Sequence, residues 1–378
     1  MSRKKIQSAI CALQLFILVL TGCGVPGANK EVAVEPIATY EPRDETEWIR
    51  SIRQTDLTGM SLPELYKDLT LIDIHNHDAG NSGAVDKWGA YGIDRLVLFG
   101  DISEPSAQFT DQYAWDLYRN DPSRIYPSFA GFPIYEDEGL SIVQEKLEQG
   151  YLNIGEVAAA STYSPIVSNL KWKSEHPNDG NLPQIYDLAA QYRVPILLHI
   201  DPPNGSPIRH LEEAMERHPD TLFIFAHANA YNSPDNLETL LAKHPNLYID
   251  FFPGFNAYNP ESTYTLQDFI PLMERYPDRF MLSTDSGYGL SVNDAAVALY
   301  EIIDLLSPET AVKAAYQNYE RMVELQPPTN TQIAKIKELA AGLGEYKTYQ
   351  LNKRMANELI FELEDKMKIN NNGQDYDE

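Results

Sequence analysis

An α/β chain folded as a (β/α)8 TIM barrel is predicted by three observations. Eight short, nearly continuous apolar runs recur between residues 69 and 287, amphipathic stretches alternate with them, and no glycine-rich phosphate loop follows the first run. Apolar runs of this length suit strands buried on both faces, as in a parallel sheet. The alternation suits helices that cover the sheet, and eight repeats match the barrel in count and size. A doubly wound open sheet would not need eight strands.

The runs are LTLIDIH (69–75), RLVLFGD (95–101), RIYPSFAGF (124–132), LNIGEVAAA (152–160), VPILLHID (194–201), TLFIFAHA (221–228), NLYIDFFP (246–253) and RFMLSTDSG (279–287). Helical spacing of apolar residues marks 137–149, 208–219, 236–245 and 266–277, the last three ending in His-Pro or Tyr-Pro. Proline is a common stop just beyond a helix. A helix over 293–306 and another over 308–325 should close the barrel, and Pro327 and Pro328 then break the chain. Two further helices are expected at 331–343 and 349–368. The second carries Leu351, Met355, Leu359, Leu363 and Met367 four apart.

Ahead of the barrel, Arg3, Lys4 and Lys5 precede an apolar stretch ending in LQLFILVL (13–20), the pattern of an export signal. The following LTGC (20–23) resembles the lipobox of bacterial lipoproteins, which implies cleavage before Cys23 and lipid on its sulfur. The only other cysteine, Cys11, lies inside the signal, so removing residues 1–22 leaves no intrachain disulfide to form. The expected organisation is a signal peptide (1–22), a lipidated Cys23 with tether and lead-in (23–65), the barrel (66–328), C-terminal helices (329–369) and a polar disordered tail (370–378). The product would be exported and held on the outer side of a bacterial membrane by its lipid. The formal net charge of −25 argues against nucleic acid as a partner, because neutralising phosphates needs Lys and Arg.

In a (β/α)8 barrel the chemistry sits at the C-terminal ends of the strands. There the sequence places His75 and His77 on the first strand and Glu156 on the fourth. His199, His227 and Asp285 end the fifth, sixth and eighth. Strand alternation puts residues two apart on one face, so His75 and His77 can both point into the mouth. Each residue alone has an ordinary explanation: a satisfied core histidine, a carboxylate paired with a buried base, or a helix cap for Asp285. Six metal-ligand types at five strand ends make those explanations hold together only by coincidence. The other four histidines, His176, His210, His218 and His244, read as helix-end or surface residues. Asp73 reads equally as a carboxylate that orients the site and as a plain buried hydrogen-bonding group.

The set IDIHNH, the strand-four carboxylate, LLHI, FAHA and STDSG resembles the amidohydrolase superfamily of metal-dependent (β/α)8 hydrolases over roughly residues 69–325. The later NYERMVEL is similar to a segment of its amidohydrolase-related branch. IGEV around Glu156 resembles the glutamate-bridged TatD-type hydrolases. The resemblance implies that His75, His77 and Asp285 hold one divalent ion, that His199 and His227 hold a second, and that Glu156 bridges them. The amidohydrolase-related branch often uses a single ion, with the residue corresponding to His227 acting on substrate, so one and two ions both remain open. Two are favoured, because a buried Glu156 without a metal or base would be unfavourable. Zn2+ is the expected ion. The implied reaction is attack of activated water on a small-molecule ester, lactone, amide or phosphoester, with Asp285 and His227 catalytic. A metal-dependent decarboxylase or hydratase of a small carboxylate is the alternative, and would need a basic residue at the mouth: Lys171, Lys173 or Arg209. A non-enzymatic binding lipoprotein is disfavoured by the complete donor set. Asp78, Glu104, Asp201, Asn204, Asn229, Tyr231 and Tyr288 are candidate substrate contacts, and the loop 161–180 a cover with Trp172 as a wall.

Overall fold

The computed structural model describes residues 43–55, 59–161, 167–345 and 350–374. The signal-like segment, Cys23 and nearly all of the expected tether lie outside the described residues, as do 162–166 of the long loop. Among the described residues no helix is long and apolar enough to cross a membrane.

The eight apolar runs form eight strands: β1 (Ile72–Asn76), β2 (Arg95–Leu98), β3 (Ile125–Phe129), β4 (Asn153–Ser161), β5 (Ile196–Asp201), β6 (Phe223–Phe225), β7 (Leu247–Phe251) and β8 (Phe280–Leu282). They pair in parallel in chain order from β1 to β8 and make a nearly closed barrel. Every residue of β1, β3, β6 and β8 is buried, because the strands face a packed interior on one side and helices on the other. At the seam the Asp73 carboxylate reaches from β1 to the chain beyond β8. It accepts hydrogen bonds from the Thr284 amide at 2.8 Å and the Thr284 hydroxyl at 2.5 Å. The same carboxylate accepts from the His75 amide and the Asn76 side chain. Asp73 is thus a buried fastener of the seam directly beneath the mouth.

The helix Asp137–Gln149 has the bounds its periodicity predicts. The lead-in is helical and docked: helix Glu45–Gln54 buries Ile49, and Arg53 donates to the carbonyls of Ile303 and Leu306. After the barrel, helices Asn330–Leu343 and Lys353–Gln374 pack on each other around Ile336, Leu339, Ala356 and Leu363. The last helix runs to Gln374, past residue 370 where the sequence predicts a tail to begin. Asn370 to Asn372 continue a helix that is already nucleated, and propagation is easier than initiation.

Candidate metal centre

Two bulges aim the first donors. Between β1 and β2 the register runs Asp73 to Leu96 and then Asn76 to Leu98, so β1 holds one residue more than its partner around His75. Between β4 and β5 it runs Ile154 to Ile196 and then Val157 to Leu198, which places the extra residue at Gly155–Glu156. A bulge bends its strand and re-aims a side chain. Gly155 is required there: its φ is +128°, and a Cβ would lie 2.6 Å from the Leu197 carbonyl oxygen.

His199 lies within β5, and the other three donors lie past the strand ends. Strand pairing stops at Asn76 in β1, Phe225 in β6 and Leu282 in β8, so His77, His227 and Asp285 are loop residues. His227 (φ +35°) and Asp285 (φ +39°) adopt left-handed backbone that L residues seldom occupy. Such strain is concentrated at functional sites, where surrounding contacts enforce it. Here the His227 amide is held by Asp250 Oδ2 at 2.9 Å, and the His77 amide by Ser286 Oγ at 2.8 Å.

The fully buried His75 donates its Nδ1–H to Asp250 Oδ2 at 2.8 Å. His77 donates its Nδ1–H to the Gly100 carbonyl at 2.9 Å. Each ring therefore presents the lone pair of Nε2, and the two Nε2 atoms are 2.9 Å apart. Two lone pairs at that separation repel unless a proton or a metal ion lies between them. Glu156 spans the site. Its Oε2 is 3.4 Å from His75 Nε2 and 3.5 Å from His77 Nε2. Its Oε1 is 3.0 Å from His199 Nδ1 and 3.2 Å from His227 Nε2. His199 Nδ1 and His227 Nε2 are 3.0 Å apart, and Asp285 Oδ1 is 3.9 Å from His77 Nε2.

Two groups follow, His75–His77–Asp285 and Glu156–His199–His227, each with donor atoms within 4.8 Å of one another. Either group could hold a metal ion, and the nitrogen and carboxylate donors suit a divalent cation such as zinc or manganese. His199 supports this reading. It turns Nδ1 into the group, and its Nε2 is buried without a hydrogen-bond partner.

Electrostatics reinforce the geometry. Burial alone would raise the pKa of Glu156, but the charge of His75 and hydrogen bonds from His199, His227 and His75 hold its carboxyl well below the usual range. Burial likewise disfavours a charged His75, yet Glu156 and Asp250 overcome it and push its pKa well above the ordinary imidazole value. His227 moves upward too, against burial, through Glu156 and the charge of Asp285. The centre is arranged to hold positive charge between fixed carboxylates.

All six predicted ligand positions thus converge. Asp250, which sequence reasoning missed, anchors two of them, fixing the His75 ring and the His227 backbone through one oxygen. Its signal was present: a lone aspartate inside the apolar run NLYIDFFP must find a buried partner. Other expected contacts have structural partners. Asp78 is paired with Lys87 and accepts from Trp88 Nε1. Asn229 is buried and ties the chain after β6 to the Phe252 amide and carbonyl. Trp172 is half-buried, and its amide donates to the Ser103 carbonyl. His210 and His176 stack on each other, ring centroids 4.0 Å apart, away from the centre. His218 and His244 cap helix ends, although His244 is buried.

No family model and no curated protein matches the sequence. Solved structures do. A TIM-barrel protein of uncharacterised function from Bordetella bronchiseptica superposes with a TM-score of 0.52 at 15% identity, covering 68% of this chain and 99% of its own. That likeness establishes the fold. A 2,6-dihydroxybenzoate decarboxylase in complex with 2,6-dihydroxybenzoate aligns at TM-score 0.47 and 13% identity, over 67% of this chain and 99% of its own. An amidohydrolase from Pseudomonas aeruginosa aligns at 0.43 and 12%, over 70% and 98%. A fold does not by itself fix a function, so the reaction has to be argued from the site.

Proposed function

We propose that the chain is a metal-dependent hydrolase of the amidohydrolase superfamily, acting on a carbonyl (ester, lactone or amide) or phosphoester centre. The observation that carries this reading is Glu156, whose two oxygens face two separate groups of donors. We propose two divalent ions, zinc by preference. His75, His77 and Asp285 would hold one and His199 and His227 the other, with Glu156 placed to offer an oxygen to each group. When bound, such ions supply Lewis acidity and lower the pKa of coordinated water.

The chain's own residues do the rest. Asp250 fixes the His75 tautomer, so that Nε2 is the ligating nitrogen. Asp285 lies at the open edge of the centre, 13% exposed, where it accepts the proton of the attacking water and returns it to the leaving group. His227, 17% exposed, would give its Nε2 to the second ion; in a single-ion centre it would instead be free to donate to the developing negative charge. Asp73 keeps Thr284, one residue before Asp285, fastened to β1.

The test is a panel of chromogenic esters, lactones, amides and phosphotriesters, assayed with the protein as purified, after chelation, and after zinc or manganese is restored. Hydrolysis that chelation removes and metal restores is expected. Turnover that survives complete metal removal would refute the proposal. We also propose that Cys23 is lipidated and anchors the enzyme outside the membrane; the support is LTGC behind a basic and apolar leader. Fatty-acid labelling in the producing cell should disappear in Cys23→Ser.

A further inference from the structure

Half of the barrel's rim has an unusual chemistry. The chain segments that follow β5, β6, β7 and β8 (201–205, 226–233, 252–265 and 283–291) contain Asp201, Glu261 and Asp285 and no lysine or arginine. Of the six Phe and Tyr residues on the last three of these segments, four form one cluster. Tyr231 packs edge-on against Phe255 at 4.8 Å, Phe252 against Tyr288 at 5.2 Å, and Phe255 against Tyr288 at 6.1 Å. The two tyrosines are 60% and 45% exposed, a large apolar area to leave open beside a charged centre.

The lip is also built, not incidental. Tyr231 donates to Glu261 Oε2 at 3.4 Å, and Asn259 Nδ2 donates to the Tyr288 hydroxyl at 2.7 Å. The Glu261 amide donates to Asn259 Oδ1 at 2.9 Å, so one turn after β7 holds both tyrosines and a carboxylate. Tyr288 is joined to the centre directly, since its amide donates to the carbonyl of Asp285.

We propose that Tyr231, Tyr288 and Glu261, with the buried Phe255 ring backing the two tyrosines, form a substrate subsite for a cationic group, an ammonium or alkylammonium carried next to the scissile bond. An aromatic face attracts a cation through its quadrupole, and a nearby carboxylate adds charge complementarity. A carboxylate-bearing substrate meets the opposite conditions at this lip: Glu261 stands beside the rings and these segments supply no lysine or arginine. The inference rests on the reading of the metal centre as the catalytic site, and it names the substrate class of that site.

The test uses the metal-loaded protein with benzyltrimethylammonium and phenylacetate as paired probes, their binding measured by titration calorimetry and by ligand-observed NMR. Benzyltrimethylammonium should bind at least about tenfold more tightly than phenylacetate. Its affinity should fall about tenfold in Tyr231→Ala and about fivefold in Glu261→Gln, with Tyr231→Phe close to wild type. Metal content and far-UV circular dichroism of each variant establish that the centre and fold are intact. Phenylacetate binding as well as or better than the cation would overturn the proposal, as would cation binding that neither variant weakens. The two readings fail separately. A protein that binds the cation but holds no metal refutes the hydrolase and keeps the lip. A protein that hydrolyses with metal but shows no preference for the cation keeps the hydrolase and refutes the lip.

Discussion

The two ends of the barrel both bury polar side chains, but in opposite ways. At the mouth like meets like: imidazole lone pairs of His75 and His77 face each other at 2.9 Å, and carboxylates close on the same point. The backbone there is left-handed at His227 and Asp285. At the base the side-chain amides of Asn357 and Gln332 are paired at both oxygen and nitrogen. Asn357 Nδ2 donates to the Gly150 carbonyl at 2.9 Å and its Oδ1 accepts from Gln332 Nε2 at 2.6 Å. Gln332 also donates to the Lys353 carbonyl, and Gln326 to the carbonyl of Leu152. Gly150, with φ +114°, leaves no room for a Cβ beside Asn357. Pairing of this kind contributes stability, whereas the opposed donors of the mouth are groups that could hold a metal ion. This division is the one expected of (β/α)8 enzymes.

That contrast can be broken at either end. The largest effect is expected for Asp285→Asn, which keeps shape but removes the proton acceptor. Its kcat should fall by about 10²–10⁴-fold while the urea midpoint moves little. A large loss of stability with kcat preserved would show that Asp285 belongs to the scaffold. Asp250→Asn should weaken metal retention about 10–100-fold in competition with a chromogenic chelator, because the ring of His75 and the backbone of His227 lose their common anchor.

At the base the signs reverse. Asn357→Ala leaves the Gly150 carbonyl without its buried donor and removes one of the two acceptors of Gln332 Nε2, and should cost about 1–3 kcal/mol in urea unfolding. Metal content and kcat should stay unchanged. Lys353 supplies the exception within the base. It is fully buried with Nζ lacking a hydrogen-bond partner, 5.2 Å from the Tyr192 ring centroid, and burial pushes its pKa down to about 7. The unfolded chain therefore holds a proton that the folded one does not between pH of about 7 and 10.4, the ordinary lysine value. Stability should rise with pH across that window and be lost as pH falls toward 7, by at most about 1.4 kcal/mol per pH unit from this group. Lys353→Met should flatten the slope in pH-dependent denaturation curves, and an unchanged slope would count against the assignment.

The sequence made the barrel legible because each strand is a run of apolar residues with a breaker on either side. Helices Ala107–Asn120 and Leu182–Tyr192 were harder to read. The first buries Asp111, a carboxylate that accepts from the amides of Ala130 and Gly131 and so interrupts the apolar stripe. At the mouth the residue types were legible but their aim was not. Period-two alternation assigns faces to a regular strand and says nothing of the bulges at His75 and Glu156 or of the left-handed turns that carry His227 and Asp285 inward. Gly155 was the nearest clue, a glycine directly before the carboxylate in an otherwise apolar strand. Asp250 was visible as a charge without a partner, and the partner came only from packing β7 beside the extension of β6.

The account stands most directly on the metal stoichiometry of the purified protein, measured by plasma mass spectrometry against protein concentration, with His75→Ala as control. It predicts two divalent ions per chain, one for each donor group, with fewer in His75→Ala. A wild-type protein that holds no divalent metal, and takes none up from excess zinc or manganese, would contradict it.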